Sequence, residues 1–197
     1  MKKLPLFLAV AMIVVISSAY AIKNDIHKKV FDKDSQAVAF IEHNLKPNTP
    51  ALDGEVMGIT APDFSLNQLS GGKMNLADYK DNLVVLNFWA SWCGPCRAEI
   101  PAFNKVQKKY KDDGVVFLGV AIEEKEDVER FLTEVAMDYE TSFGVEDAYE
   151  VSANYGNPDG ALPYTLLISK KHQKIVASHN GQLHEDMLEE FINKNLK

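Results

Sequence analysis

The stretch Val84-Val85-Leu86-Asn87-Phe88-Trp89-Ala90-Ser91-Trp92-Cys93-Gly94-Pro95-Cys96-Arg97-Ala98-Glu99 decides how this chain is read. An apolar strand runs straight into a C-x-x-C pair that opens a helix. Both cysteines and both tryptophans of the 197-residue chain lie in it. The first backbone N–H groups of a helix lack intrahelical partners and carry the positive end of its dipole, so a thiol placed there ionises more readily. The thiolate is the form that attacks disulfides, which makes Cys93 a candidate nucleophile. Cys96 stands one turn on, on the same face, and can close a disulfide with it. The pattern reads as a redox centre.

Three other readings compete. A structural staple across so short a loop would gain only about 2 kcal/mol by the loop-entropy relation, little for a domain of this size. A zinc site would have to recruit His179 and His184, whose H-x4-H spacing lies in the ligand range. However, about eighty residues separate Cys96 from His179, where a compact finger has roughly 12–15. Covalent haem attachment requires C-x-x-C-H, and Arg97 occupies the histidine position. The redox reading accounts for the strand–helix setting as well as the spacing, and it calls for no metal or organic cofactor.

A hydrophobic content of 46% and a charged content of 25% are those of an ordinary globular protein. The net charge of −7, with no basic tract, argues against nucleic acid as a partner. The N-terminus says more. Lys2 and Lys3 precede an uncharged apolar run from Leu4 to Ile22, and Ala19-Tyr20-Ala21 has the A-x-A form of a signal-peptidase site. The basic flank keeps the start of the run on the cytoplasmic side, so everything after Lys23 is expected outside the cytoplasmic membrane, in a periplasm or on the outer face. The run is either a cleaved signal peptide or a retained anchor. Its length, about the 20 residues a spanning helix needs, favours a membrane tether through Leu4 to Ala21. In an oxidising compartment an exposed cysteine pair is held as a disulfide unless something reduces it. A reductase there requires a membrane electron donor.

Three segments follow: a leader at 1–22, a linker at 23–57 and a folded domain at 58–197. Within the linker, Val38, Ile41 and Leu45 recur at i, i+3 and i+7, which predicts a short amphipathic helix over Ser35–Leu45, ended before Pro47. Asp63–Leu66 and Lys73–Leu76 flank Ser70-Gly71-Gly72 and read as a β-hairpin. Leu83–Ala90 reads as a strand buried on both faces, and Val115–Ile122 as a second. Between them a helix is expected from Cys93 to about Lys111, with a kink at Pro101 and with Ile100, Phe103, Val106 and Tyr110 turned inward. Val128, Phe131, Leu132 and Val135 mark another helix. Thr141–Val145 reads as a short strand and Asp147–Tyr155 as a short helix. Tyr164–Ile168 and Lys174–Ser178 form a closing hairpin, and Met187, Leu188, Phe191 and Ile192 the last helix. Right-handed crossovers give a central parallel pair, and the hairpins add antiparallel strands. The expectation is an α/β fold: a mixed sheet flanked by helices, with an N-terminal hairpin extension.

The residues Ala61-Pro62-Asp63-Phe64, then Asn87 to Cys96, then Leu162-Pro163-Tyr164-Thr165 resemble, in sequence and in order, the TlpA/ResA-like envelope thiol–disulfide oxidoreductases of the redoxin superfamily. The resemblance covers about residues 58–196 and implies a thioredoxin-like fold. It implies that Cys93 forms the mixed disulfide with a protein substrate and that the more buried Cys96 resolves it. It further implies that Pro163 is a cis-proline facing the disulfide, with Leu162 offering its backbone to an extended substrate segment. Thioredoxins proper carry a buried aspartate where this chain has Asn87, which cannot titrate. The TlpA/ResA-like group has a glutamate shortly after the second cysteine, and Glu99 stands there. A carboxylate at i+3 from Cys96, its pKa raised by partial burial, would accept the Cys96 proton. Trp92 is expected to shield the disulfide and contact substrate, Trp89 to be core, and Arg97 to be solvated.

The activity implied is reduction of protein disulfides, of the cytochrome c maturation type or as general reductant delivery. The Gly94-Pro95 dipeptide matches reducing thioredoxins better than the Pro-His type of strong oxidants. Two alternatives stand beside it. A redoxin-type peroxidase needs P-x-x-x-T-x-x-C, but Leu86 and Ala90 occupy the Pro and Thr positions. A copper-binding chaperone of related fold would use the cysteine pair with a distant His, His179 or His184.

Overall fold

The computed structural model describes residues 56–196. The leader, the helix expected over Ser35–Leu45 and nearly all of the linker lie outside the described residues. The chain's centre is β3 (Leu83–Trp89), whose seven residues are all buried. A strand with no solvated face must be paired on both edges and covered on both sides. On one edge it pairs in parallel with β4 (Val115–Ile122), Leu86 opposite Leu118. On the other it pairs antiparallel with β6 (Tyr164–Ile168), Phe88 opposite Tyr164. A further parallel strand, β5 (Glu140–Gly144), lies beyond β4, so the parallel core holds three strands rather than the expected pair. The hairpin β1 (Ser65–Gln68) and β2 (Lys73–Asn75) completes one side, and β7 (Ile175–Asn180) the other. The seven-stranded order is β2-β1-β5-β4-β3-β6-β7.

Side chains alternate across the sheet, and the core divides accordingly. Val84, Leu86 and Phe88 of β3 join Leu118, Val120, the hairpin's Leu66 and Met74, and Ala148 of α3 (Glu146–Asn154). Val85 faces the other way, with Phe103 and Val106 of α1 (Gly94–Tyr110) and Leu188 and Ile192 of α4 (Glu185–Asn195). Trp89 also lies on that side, where α1 meets α2 (Lys125–Leu132) through Ile100, Val128 and Phe131. Helices therefore cover both faces. α1 runs through Pro101 as one element and ends in a 3-10 turn closed by Gly114 at φ 81°.

Element boundaries shift where pairing partners are distant in sequence. β1 starts two residues later than its own pattern indicates and extends to Gln68, because Asn67 and Gln68 pair with Phe143 and Ser142 of β5. β7 extends through the polar Ser178, His179 and Asn180 because β6 pairs with it as far as Tyr164.

Gly119 of β4 lies opposite Asn87 of β3. A Cβ there would stand 2.9 Å from Thr141 Oγ1, 3.1 Å from Trp89 Nε1 and 3.3 Å from Tyr139 Cε2. Gly119→Ala is therefore expected to destabilise the fold by about 1–3 kcal/mol through overpacking. Urea denaturation reads this directly, and an unchanged midpoint would show that the indole can shift freely.

Candidate active site

The chain reaches the end of β3 and turns at once into α1, so the four residues Ala90–Cys93 have little freedom. Cys93 is the N-cap of α1, with extended backbone, and Pro95 falls in the first turn. Proline suits that turn because it lacks an N–H that would have gone unpaired there. The Cys96 N–H donates to Cys93 Sγ at 3.3 Å, which puts the sulfur on the helix's unpaired N–H groups. The two sulfurs are joined in a disulfide, with Cα atoms 5.3 Å apart. Cys93 is 5% exposed and Cys96 fully buried, whereas Trp92 beside them is 71% exposed.

Leu162 packs against the cluster that contains Cys93 and Cys96. The Leu162–Pro163 peptide bond is cis and Pro163 is buried. The preceding loop is tied down by Asn157, whose side chain both accepts from the Ala161 N–H and donates to the Ala161 carbonyl. No periodic neighbour marks this asparagine in the sequence.

Glu99 is buried at 1% exposure, where the sequence alone allowed a merely partial burial. Its Oε1 accepts from Asn87 Nδ2 at 2.9 Å and its Oε2 from the Leu183 N–H at 3.0 Å. Asn87 also donates to Thr165 Oγ1 at 3.0 Å, so β3, α1, β6 and the segment before α4 meet at one buried carboxylate. Burial pushes the Glu99 pKa up to about 7, outweighing the two donors that pull it down. Asn87 cannot titrate, but it holds the residue that can.

A second buried carboxylate was not foreseen. Glu123, just past β4 and 6% exposed, accepts from both the Ser91 N–H and the Ser91 hydroxyl, each at 2.7 Å. An acid at a strand end usually faces water, so composition offers no sign of this role. Arg97 is exposed, yet its guanidinium does more than meet solvent: it stacks over Phe131 at 4.9 Å and reaches the Ser91 carbonyl at 3.4 Å. His179 lies on β7 with Nε2 3.3 Å from the Gln182 carbonyl, and His184 caps α4. Among the described residues no group of three or more His, Cys, Asp or Glu is arranged to hold a metal ion. None of the described helices is long and apolar enough to cross a membrane.

Taken together the arrangement is a dithiol–disulfide centre: one cysteine at the rim of the fold, one beneath it, and a titratable carboxylate a helical turn behind. Comparison with known proteins agrees. Residues 57–178 match the AhpC/TSA family. The thiol-disulfide oxidoreductase ResA of Bacillus thuringiensis is 32% identical over 139 residues, 70% of this chain and 78% of that protein. The thioredoxin-like protein YneN of Bacillus subtilis is 40% identical over 115 residues, 58% of this chain and 66% of that protein. A Chlorobium tepidum protein assigned as the thiol:disulfide interchange protein DsbE superposes with a TM-score of 0.66 at 33% identity, covering 75% of this chain and all of that one. The chain thus belongs to the AhpC/TSA family of redoxins, among its thioredoxin-fold thiol–disulfide oxidoreductases of the ResA type.

Proposed function

We propose that this oxidoreductase works outside the cytoplasmic membrane as a reductase of protein disulfides, re-reduced by a membrane dithiol donor. The observation that carries the reading is Glu99, a buried carboxylate of raised pKa one turn behind the buried Cys96. In the dithiol form, the Cys93 thiolate attacks one sulfur of a substrate disulfide. A Cys93–substrate disulfide forms and the substrate's other sulfur leaves as a thiolate. The Cys96 thiol then gives its proton to Glu99 and attacks Cys93 Sγ. The remaining substrate sulfur leaves, two electrons have passed to the substrate, and the Cys93–Cys96 disulfide is closed. Trp92 and the Leu162 backbone, beside Pro163, hold an extended substrate segment against Cys93. Cysteine pairs of apocytochrome c, or disulfides of other envelope proteins, are substrates of the kind this reading calls for. The apolar leader supports the location, and Gly94-Pro95 supports the reducing direction. Leu86 and Ala90, both buried where a redoxin peroxidase needs Pro and Thr, speak against peroxide as the oxidant.

The direction of exchange is tested by equilibrating the purified protein with glutathione or dithiothreitol buffers and following tryptophan fluorescence, since Trp92 adjoins the couple. A potential near the thioredoxin value of about −270 mV is expected. A value near about −120 mV, that of a strong oxidant, would overturn the reductase reading.

Glu99→Gln tests the proton step. Resolution of the Cys93–substrate intermediate should slow on the order of 10²-fold, so that the mixed disulfide accumulates after acid quenching. The wild-type resolution rate should rise with pH through about 7 and then level, and the variant should lose that inflection. Identical pH profiles would remove Glu99 from the mechanism.

Stability of the disulfide form gives an independent check. A carboxylic acid whose folded pKa is raised favours the fold while protonated, and this is lost as pH rises from the ordinary 4.5 through about 7. Wild type should therefore lose about 3 kcal/mol relative to Glu99→Gln across that window and stay level above it. Urea denaturation at pH 4 and pH 8 measures the change.

A further inference from the structure

The loop between β3 and α1 is gripped at one residue. Every backbone and side-chain polar group of Ser91 is engaged: its N–H and hydroxyl donate to Glu123, and its carbonyl accepts from Arg97. The next contact along the loop is local, the Cys93 N–H on the Ala90 carbonyl at 3.1 Å. Glu123 itself is anchored at the end of β4, where residue 123 bridges to Gly144 at the end of β5. The carboxylate thus ties the approach to Cys93 to the parallel core of the sheet. In the oxidised form the disulfide holds Cys93 Sγ over the helix N-terminus, where the Cys96 N–H also donates to it. Once that bond opens, the sulfur stays there only if the loop does.

We propose that Glu123 is a positioning residue for the exchange reaction: by accepting both polar hydrogens of Ser91 it holds the Ala90–Cys93 loop in place when the disulfide opens, keeping Cys93 Sγ against the first N–H groups of α1. This rests on Cys93 being the attacking thiol. The geometry requires an acceptor for the Ser91 N–H above all, because a main-chain donor cannot reorient. A carboxamide can supply that acceptor and still donate its NH2 to the hydroxyl oxygen, which makes Gln the conservative replacement. The charged groups around the loop are Arg97 and Glu99 on α1, Glu123 after β4, and Glu134, which pairs with Arg97 at 3.7 Å. Removing the negative charge of Glu123 would by itself favour a thiolate nearby. Loss of positioning works in the opposite sense, by taking the sulfur away from the N–H groups that stabilise it.

The opposing signs define the test. The reduced full-length protein is alkylated with iodoacetamide across a pH series, and the modified cysteine is identified by peptide mass spectrometry. In wild type the label is expected on Cys93. In Glu123→Ala its rate at pH 7 should fall roughly three- to tenfold, with the midpoint displaced to higher pH. Glu123→Gln should stay close to wild type, and Ser91→Ala, which removes only the hydroxyl, should fall between. Faster alkylation in both Glu123 variants would show that the charge matters and the hydrogen bonds do not. Lower thermal stability with unchanged alkylation in Glu123→Ala and Ser91→Ala would reduce the clamp to a structural contact. Either result overturns the proposal. Wild-type label on Cys96 instead would overturn the exchange mechanism on which the proposal rests. If Glu123→Ala does not fold, Ser91→Ala decides: an alkylation rate equal to wild type is the overturning result.

Discussion

All seven residues of β3 are buried, and the rest of the architecture answers that constraint. A strand shut off from water on both faces needs hydrogen-bond partners on both edges, and this one pairs with β4 and β6. A parallel neighbour cannot be reached by a tight turn. The chain must cross over the sheet, and α1 is that crossover. The start of α1 is thereby fixed beside the carboxyl end of β3. Cys93 falls at that junction, so the reactive sulfur is placed by the same burial that stabilises the fold. The ends of β4 and β5 gather at the same edge, which is why Glu123 can reach Ser91. In open parallel sheets this edge is where loops converge and chemistry is done.

Two carboxylates lie buried near this junction, and the structure treats them differently. Glu123 receives two short hydrogen bonds from a single residue, an arrangement that fixes a loop. Glu99 receives two from separate elements, Asn87 on β3 and the backbone of Leu183, yet remains short of compensation for its burial. A carboxyl group with a pKa near 7 can be either protonated or ionised at little cost at neutral pH, which a group that takes up a proton requires. The neutral amide of Asn87 is part of this tuning. An aspartate in its place would set a second negative charge against Glu99 and raise the cost of ionising either. The amide instead donates to Glu99 and Thr165 and leaves one titrating group.

How much of this could be read from residues alone depended on the range of the interaction involved. The junction was legible because each of its signals is local: an unbroken apolar run, two cysteines at helical spacing, proline in the first turn. The helices at Val128 and Met187 were legible from periodicity. The outer strands were displaced because their limits are set by partners some 75 residues away in the case of Gln68 and Ser142, a pairing no local pattern carries. The depth of Glu99 was hidden for a related reason. In sequence it is an acid early in a helix, where the dipole already favours one. It is closed in by Asn87 on β3 and by the Leu183 backbone, which arrives from the far end of the chain. Glu123 left no trace, because an acid after a strand is ordinarily solvated. Pro163 could be singled out by resemblance, but its isomer belongs to the folded loop that Asn157 braces.

The unequal burial of the two sulfurs bears on how exchange can proceed. In the disulfide form Cys96 has no exposed surface and Cys93 only a small one, while the indole of Trp92 stands in solvent beside them. A thiolate that reopens this bond therefore meets Cys93 before Cys96. Attack would then fall on Cys93 alone, and Cys96 would meet only the mixed disulfide. The order of the two chemical steps is in this way set by access rather than by any difference in the intrinsic reactivity of two thiols. On the mechanism proposed, a proton acceptor is needed on the buried side only, since Cys93 already has the helix N-terminus to stabilise its charge. Glu99 lies on that side, one turn beyond the cysteine that water cannot reach.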